Sequence, residues 1–100
     1  MLTDAALVAI DLAELLLEVG RANEVSAVLS GVVRTFIDAG KYSSAMTALA
    51  YLKDAASHNP VIPPAVLRYV RRFIVRADRD RDLVWAPPPP GLQGLDARLD

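Results

Sequence analysis

The chain contains no cysteine, which excludes disulfides, thiolate zinc sites and thiol chemistry. It has a single histidine, His58, with no serine or carboxylate pair arranged around it for acid–base or nucleophilic work. His58 falls in the last turn of an expected helix, where an imidazole caps free carbonyls and complements the dipole. No period-two alternation of apolar residues occurs anywhere, so no strand is expected, and without a strand there is no glycine-rich phosphate loop to follow one. No basic stretch opens the chain, and Asp4 precedes its first apolar run, which is unlike a secretory signal. That run, residues 5 to 19, is broken by Asp11, Glu14 and Glu18 and falls short of the roughly 20 residues that span a bilayer. Asp11, Glu14 and Glu18 share a helix face but lack calcium-loop spacing and the Glu-x-x-His pattern of helical metal sites. The net charge is only −1, too small for bulk attraction to nucleic acid or to an anionic membrane. The expectation is a cytoplasmic protein that is not an enzyme and has no metal, no cofactor, no small-molecule substrate and no membrane attachment.

What is present is hydrophobic and helical. The 100 residues, enough for one small domain, are 53% hydrophobic with a mean hydropathy of +0.28. A small domain has little interior in which to hide such side chains, so part of that surface is expected to meet a neighbour. The organising stretch runs from Gly20 to Gly40. Val25, Val28, Leu29, Val32, Val33, Phe36 and Ile37 lie at helical spacing on one face, while Ala22, Ser26, Ala27, Ser30 and Gly31 make a second face of small residues. A glycine inside a helix costs about 1 kcal/mol relative to alanine, which is best explained if another backbone approaches there. This helix is therefore expected to be covered on two sides.

Four helices follow from periodicity and caps, over residues 4–19, 23–39, 43–58 and 64–77. Thr3 and Asn23 are the expected N-caps of the first two, Gly20 and Gly40 their stops, and Ser43 or Ser44 the cap of the third. The first helix is apolar nearly all round, apart from an acidic stripe of Asp4, Asp11, Glu14 and Glu18, and such a helix is normally buried on several sides. In the third, Ala45, Met46, Leu49, Leu52 and Ala56 face inward. Pro60 breaks it, and Pro64 fits the first turn of the fourth. There, Val66, Leu67, Val70, Phe73, Ile74 and Ala77 oppose a basic face of Arg68, Arg71, Arg72 and Arg76. Residues 1–82 thus form an all-α array of antiparallel hairpins.

The charged run of residues 78–82 is a solvated connection. Residues 83–100 form an extended tail in which Pro87 to Pro90 favour a polyproline II rod, Leu92, Leu95 and Leu99 share an edge, and Trp85 is the natural anchor.

The turn at residues 18–25, together with the helix after it, resembles the tetratricopeptide repeat, a helix-turn-helix unit of about 34 residues. With Gly20 on the glycine that closes the repeat's first helix, Leu16 and Val19 take its large apolar positions. Val32 then takes the small position of the second helix, Phe36 the aromatic and Ala39 the last alanine. Asn23 stands where tyrosine is usual, and Ser44 replaces the terminal proline. The resemblance implies two stacked helical hairpins, a solenoid fragment used in protein binding or assembly, and carries over no catalytic residue.

Acid lies on the first helix and arginine on the last, the two elements that an open hairpin array leaves uncovered. The expected function is head-to-tail self-association into an oligomer, ring or helical filament. Its contacts would be Asp4, Asp11, Glu14 and Glu18 against Arg68, Arg71, Arg72 and Arg76, with Trp85, Pro87, Pro88, Leu92 and Leu95 gripping the neighbour. One alternative is a C-terminal, peptide-binding domain of a larger bacterial regulatory protein. Another is nucleic-acid binding through the last helix, against which Asp78, Asp80 and Asp82 weigh by following the arginines at once.

Overall fold

The glycines at 20 and 40 end two helices in the same way. The structure, a computed structural model, describes residues 2–89. Gly20 (φ 77°) and Gly40 (φ 69°) are left-handed, a conformation that costs a residue with a Cβ about 1–2 kcal/mol. The amide of the next residue then reaches back to close the helix, Arg21 N to Leu16 O at 2.8 Å and Lys41 N to Phe36 O at 2.9 Å. This is the Schellman closure, in which a glycine satisfies carbonyls the helix leaves unpaired.

Among the described residues the chain forms α1 (Leu2–Glu18), α2 (Val25–Asp38), α3 (Ser44–His58) and α4 (Pro64–Arg79), with no strand. Ser43 caps α3 by accepting from Met46 N at 3.3 Å. Two expected caps are corrected. Thr3 lies inside α1, and its hydroxyl donates to Asp78 Oδ1 at 2.8 Å instead. Asn23 sits within a 3-10 turn, Ala22–Glu24, that precedes α2. An Arg21–Glu24 ion pair braces that turn, and the guanidinium hydrogen bond holds the Glu24 carboxyl below its usual range. What this exposed pair adds to folding is therefore present above that range and is lost as pH falls through the lowered value.

The packing is closed. α1 lies against both α2 and α4, α3 likewise lies against α2 and α4, and α1 and α3 barely meet across the middle. Ile10, Leu29, Leu49, Leu52, Leu67 and Ile74, drawn from all four helices, are the largest fully buried side chains. The extents of 35 × 27 × 20 Å are those of a short bundle, since 17 residues of helix alone run about 25 Å. This corrects the expected open array in which α1 and α4 are uncovered ends. In stacked hairpins α1 would lie on α3, whereas here buried Ala6 and Ala13 leave it slim enough to close on α4. The stripe of α4 is broad enough to serve two neighbours, because Leu67, Val70, Phe73 and Ile74 are all buried. Ile62, 3% exposed, plugs the stiff connection between α3 and α4.

A second correction concerns α2. Val25, Leu29, Val32, Val33 and Phe36 are buried, as the period requires, but the small-residue face is only partly covered, Ala27 and Gly31 being exposed while Ala22, Ser26 and Ser30 are half-buried. A Cβ built on Gly31 meets nothing within 4 Å. Nothing among the described residues requires glycine there. Gly31→Ala is accordingly expected to stabilise the chain by about 0.5–1 kcal/mol through helix propensity, which raises Tm by several degrees in a thermal melt.

Candidate interaction surfaces

α1 is apolar nearly all round, yet the bundle covers only one side of it. Ala6, Ala9, Ile10, Ala13 and Leu16 are buried, whereas Val8 is 65% exposed, Leu12 41%, Leu15 52% and Val19 58%. With Ala5, which is also exposed, these residues recur at spacings of three and four. That is the pattern of a coiled-coil seam. Its acidic edge is equally regular, because Asp4, Asp11 and Glu18 each precede a seam residue by one position. Asp11 marks the edge toward α4, so the apolar seam leans toward α2. On α2, Ser26 faces α3, where its hydroxyl pairs with that of Ser57 at 3.3 Å, and exposed Gly31 and Thr35 lie on the other flank.

The outer face of α4 is the complementary feature. Arg68, Arg71, Arg72, Val75 and Arg76 line a shallow depression of about 420 Å³. The methylene stems of its arginines present apolar surface to it. Arg72 and Arg76 are exposed, and Arg68 is half-buried. Asp11 and Arg71, expected to meet across two copies, meet within one chain, Nε to Oδ1 at 3.1 Å. Both are substantially exposed, so the pair contributes about 0.2–1 kcal/mol. It fixes the α1–α4 seam without neutralising either face, because Asp4, Glu14 and Glu18 remain exposed on the acidic side.

The beginning of the tail is bound to its own body. The Trp85 ring lies 5.0 Å from Phe73, 5.4 Å from Tyr51 and 5.9 Å from Tyr69, tilted or edge-on in every case. These geometries suit the quadrupoles of aromatic rings. Ser44 Oγ donates to Leu83 O at 2.8 Å, and Tyr69 Oη donates to Ala86 O at 2.8 Å. Trp85 therefore grips α3 and α4 of the same chain, where a neighbour was expected. Pro88 is half-buried on the same body, Pro87 is exposed, and Leu92 and Leu95 lie outside the described residues.

His58 donates from Nδ1 to Asp54 O at 2.8 Å, a carbonyl of its own last turn. Among the described residues no group of three or more His, Asp or Glu converges as a metal site, no charged side chain is buried, and no helix is long and apolar enough to cross a membrane. Comparison with protein-family models, with curated proteins and with solved structures gives no match. The tetratricopeptide resemblance therefore rests on the sequence of one repeat, roughly residues 13 to 46, alone.

Periodicity alone does not single out the α1 seam. Its signal is present in the letters, as Ala5, Val8, Leu12, Leu15 and Val19. On a helix that is apolar on every side, that signal is indistinguishable from a core stripe.

Proposed function

We propose that this chain is a non-enzymatic protein–protein interaction module that self-associates head to tail, the outer face of α1 on one copy seating on the outer face of α4 on the next. The observation that carries this reading is the exposed seam of Val8, Leu12, Leu15 and Val19, a row of large apolar side chains that a monomer has no reason to keep in water. Charge selects the acceptor. The seam is edged by Asp4, Glu14 and Glu18, and the depression on α4 is ringed by arginine, so the seam enters an apolar-walled hollow while opposite charges meet at its rim. Such a contact joins unlike faces, so it extends into a ring or a filament. Two antiparallel hairpins closed into one bundle would be the repeating unit.

Two variants test this in combination. Leu12→Lys with Leu15→Lys blocks the α1 face, and Arg72→Glu with Arg76→Glu blocks the α4 face. Each variant alone is expected to remain a monomer, and an equimolar mixture is expected to form a dimer that grows no further, as measured by light scattering. If the mixture stays monomeric at concentrations where the unmodified chain associates, the head-to-tail form is wrong. If the unmodified chain never associates, the self-association reading fails with it.

A further inference from the structure

We infer that the groove between α3 and α4 is a recognition site for an extended Trp-Ala-Pro segment, filled in the isolated chain by its own residues 83–89 and open to the same segment of a second copy. The site lies apart from the α1 and α4 outer faces, and the inference stands or falls without them. Tyr51 on one wall and Tyr69 and Phe73 on the other enclose the Trp85 ring at 5.0–5.9 Å. The polar contacts are of one kind. Two side-chain hydroxyls, of Ser44 and Tyr69, each donate at 2.8 Å to a backbone carbonyl of the segment, Leu83 O and Ala86 O. Tyr69 Oη also lies 3.4 Å from Pro87 O, and a groove with aromatic walls and hydroxyl donors suits a segment that leads into a proline run, whose residues offer carbonyls and no amide donors. The segment alternates to match, with Leu83 and Trp85 turned toward the core and Val84 81% exposed.

What ties this segment to its own body, beyond the groove, is the short hinge after α4. Asp80, Arg81 and Asp82 are exposed, and the hinge is shaped by local bonds, Leu83 N to Asp80 O at 3.2 Å and Asp82 N to Asp80 Oδ1 at 3.1 Å. A segment supplied by a second copy makes the same groove contacts, and only the hinge conformation differs. Exchange of an identical element is a low-cost route to association. The chain's own tail keeps the advantage of a short tether, an effective concentration on the order of 1 mM. Exchange is therefore favoured where copies are held together.

The chain's one tryptophan makes the test direct. Trp85→Ala removes the tail's anchor and leaves the protein without tryptophan, so the indole emission of an added synthetic peptide of residues 83–89 reports only the peptide. The expected result is a saturable blue shift of that emission on titration with the Trp85→Ala chain. Adding Tyr69→Phe should weaken the binding about fivefold, the loss of one hydrogen bond of about 1 kcal/mol. Trp85→Phe, also free of tryptophan, serves as the acceptor if the alanine variant fails to keep its helical circular dichroism. No saturable shift with a folded acceptor overturns the inference, and so does binding unaffected by Tyr69→Phe.

Discussion

Leu12→Lys combined with Leu15→Lys is expected to weaken self-association by at least about 100-fold while leaving the fold intact. Both positions are on the seam, 41% and 52% exposed, and lysine has nearly the helix propensity of leucine. Their replacement falls among surface changes that move folding stability by no more than about 0.5 kcal/mol. The ammonium introduced at position 15 also sits four residues after Asp11 and three before Glu18, helical spacings where opposite charges are mildly favourable and offset its like-charged neighbour at position 12. In the associated state the balance reverses. Each leucine that enters a hollow is worth about 1.5–3 kcal/mol of removed apolar surface, and each lysine faces the arginines of α4. A combined loss of about 3 kcal/mol corresponds to about two powers of ten in Kd. Sedimentation equilibrium beside a thermal melt separates the two effects. A fall in Tm that matches the loss of association would show that the seam is part of the core.

Leu52→Ala is expected to act in the opposite sense, on folding first. Leu52 is fully buried, in the helix that packs on both α2 and α4. Its truncation removes transfer free energy and leaves a cavity that four helices closed on one another relax into only partly. The expected cost is about 3 kcal/mol, within the range of about 2–5 for such changes. For a domain of this size that lowers Tm by about 12–24 °C. Against a total stability of about 5–15 kcal/mol, the loss is a large fraction, and chemical denaturation followed by circular dichroism reads it. A loss below about 1 kcal/mol would mean that α3 does not close the bundle between α2 and α4.

The letters of α2, α3 and α4 mark their inner faces because each helix has one apolar stripe and one polar one. The buried sets Val25, Leu29 and Phe36, Leu49 and Leu52, and Val70 and Ile74 follow directly from that contrast. In α1 the contrast is missing. Periodicity identifies a helix there but cannot say which of two apolar sides is covered, and the choice is made by Ala6 and Ala13, whose small size lets α4 come close. For the same reason the α1–α4 contact is not readable in the letters, since it depends on where two distant segments meet. Glycine stops are readable because the left-handed conformation is a property of a single residue. Gly31 misleads because an open helix face and a crowded one can carry the same small residue. Trp85 stands out as an anchor, but a tryptophan next to prolines does not say whose groove it enters, and here Tyr51, Tyr69 and Phe73 of its own chain supply the walls.

The central claim is that the exposed side of α1 is a surface meant for another copy. The most direct test is the mass of the unmodified chain, by light scattering, across a concentration series at low and high salt. The mass is expected to climb above 10.8 kDa with concentration and to fall back as salt screens the acidic and arginine faces, whose reach in 1 M salt shrinks to about 3 Å. A mass fixed at 10.8 kDa at every concentration and at both ionic strengths would contradict it.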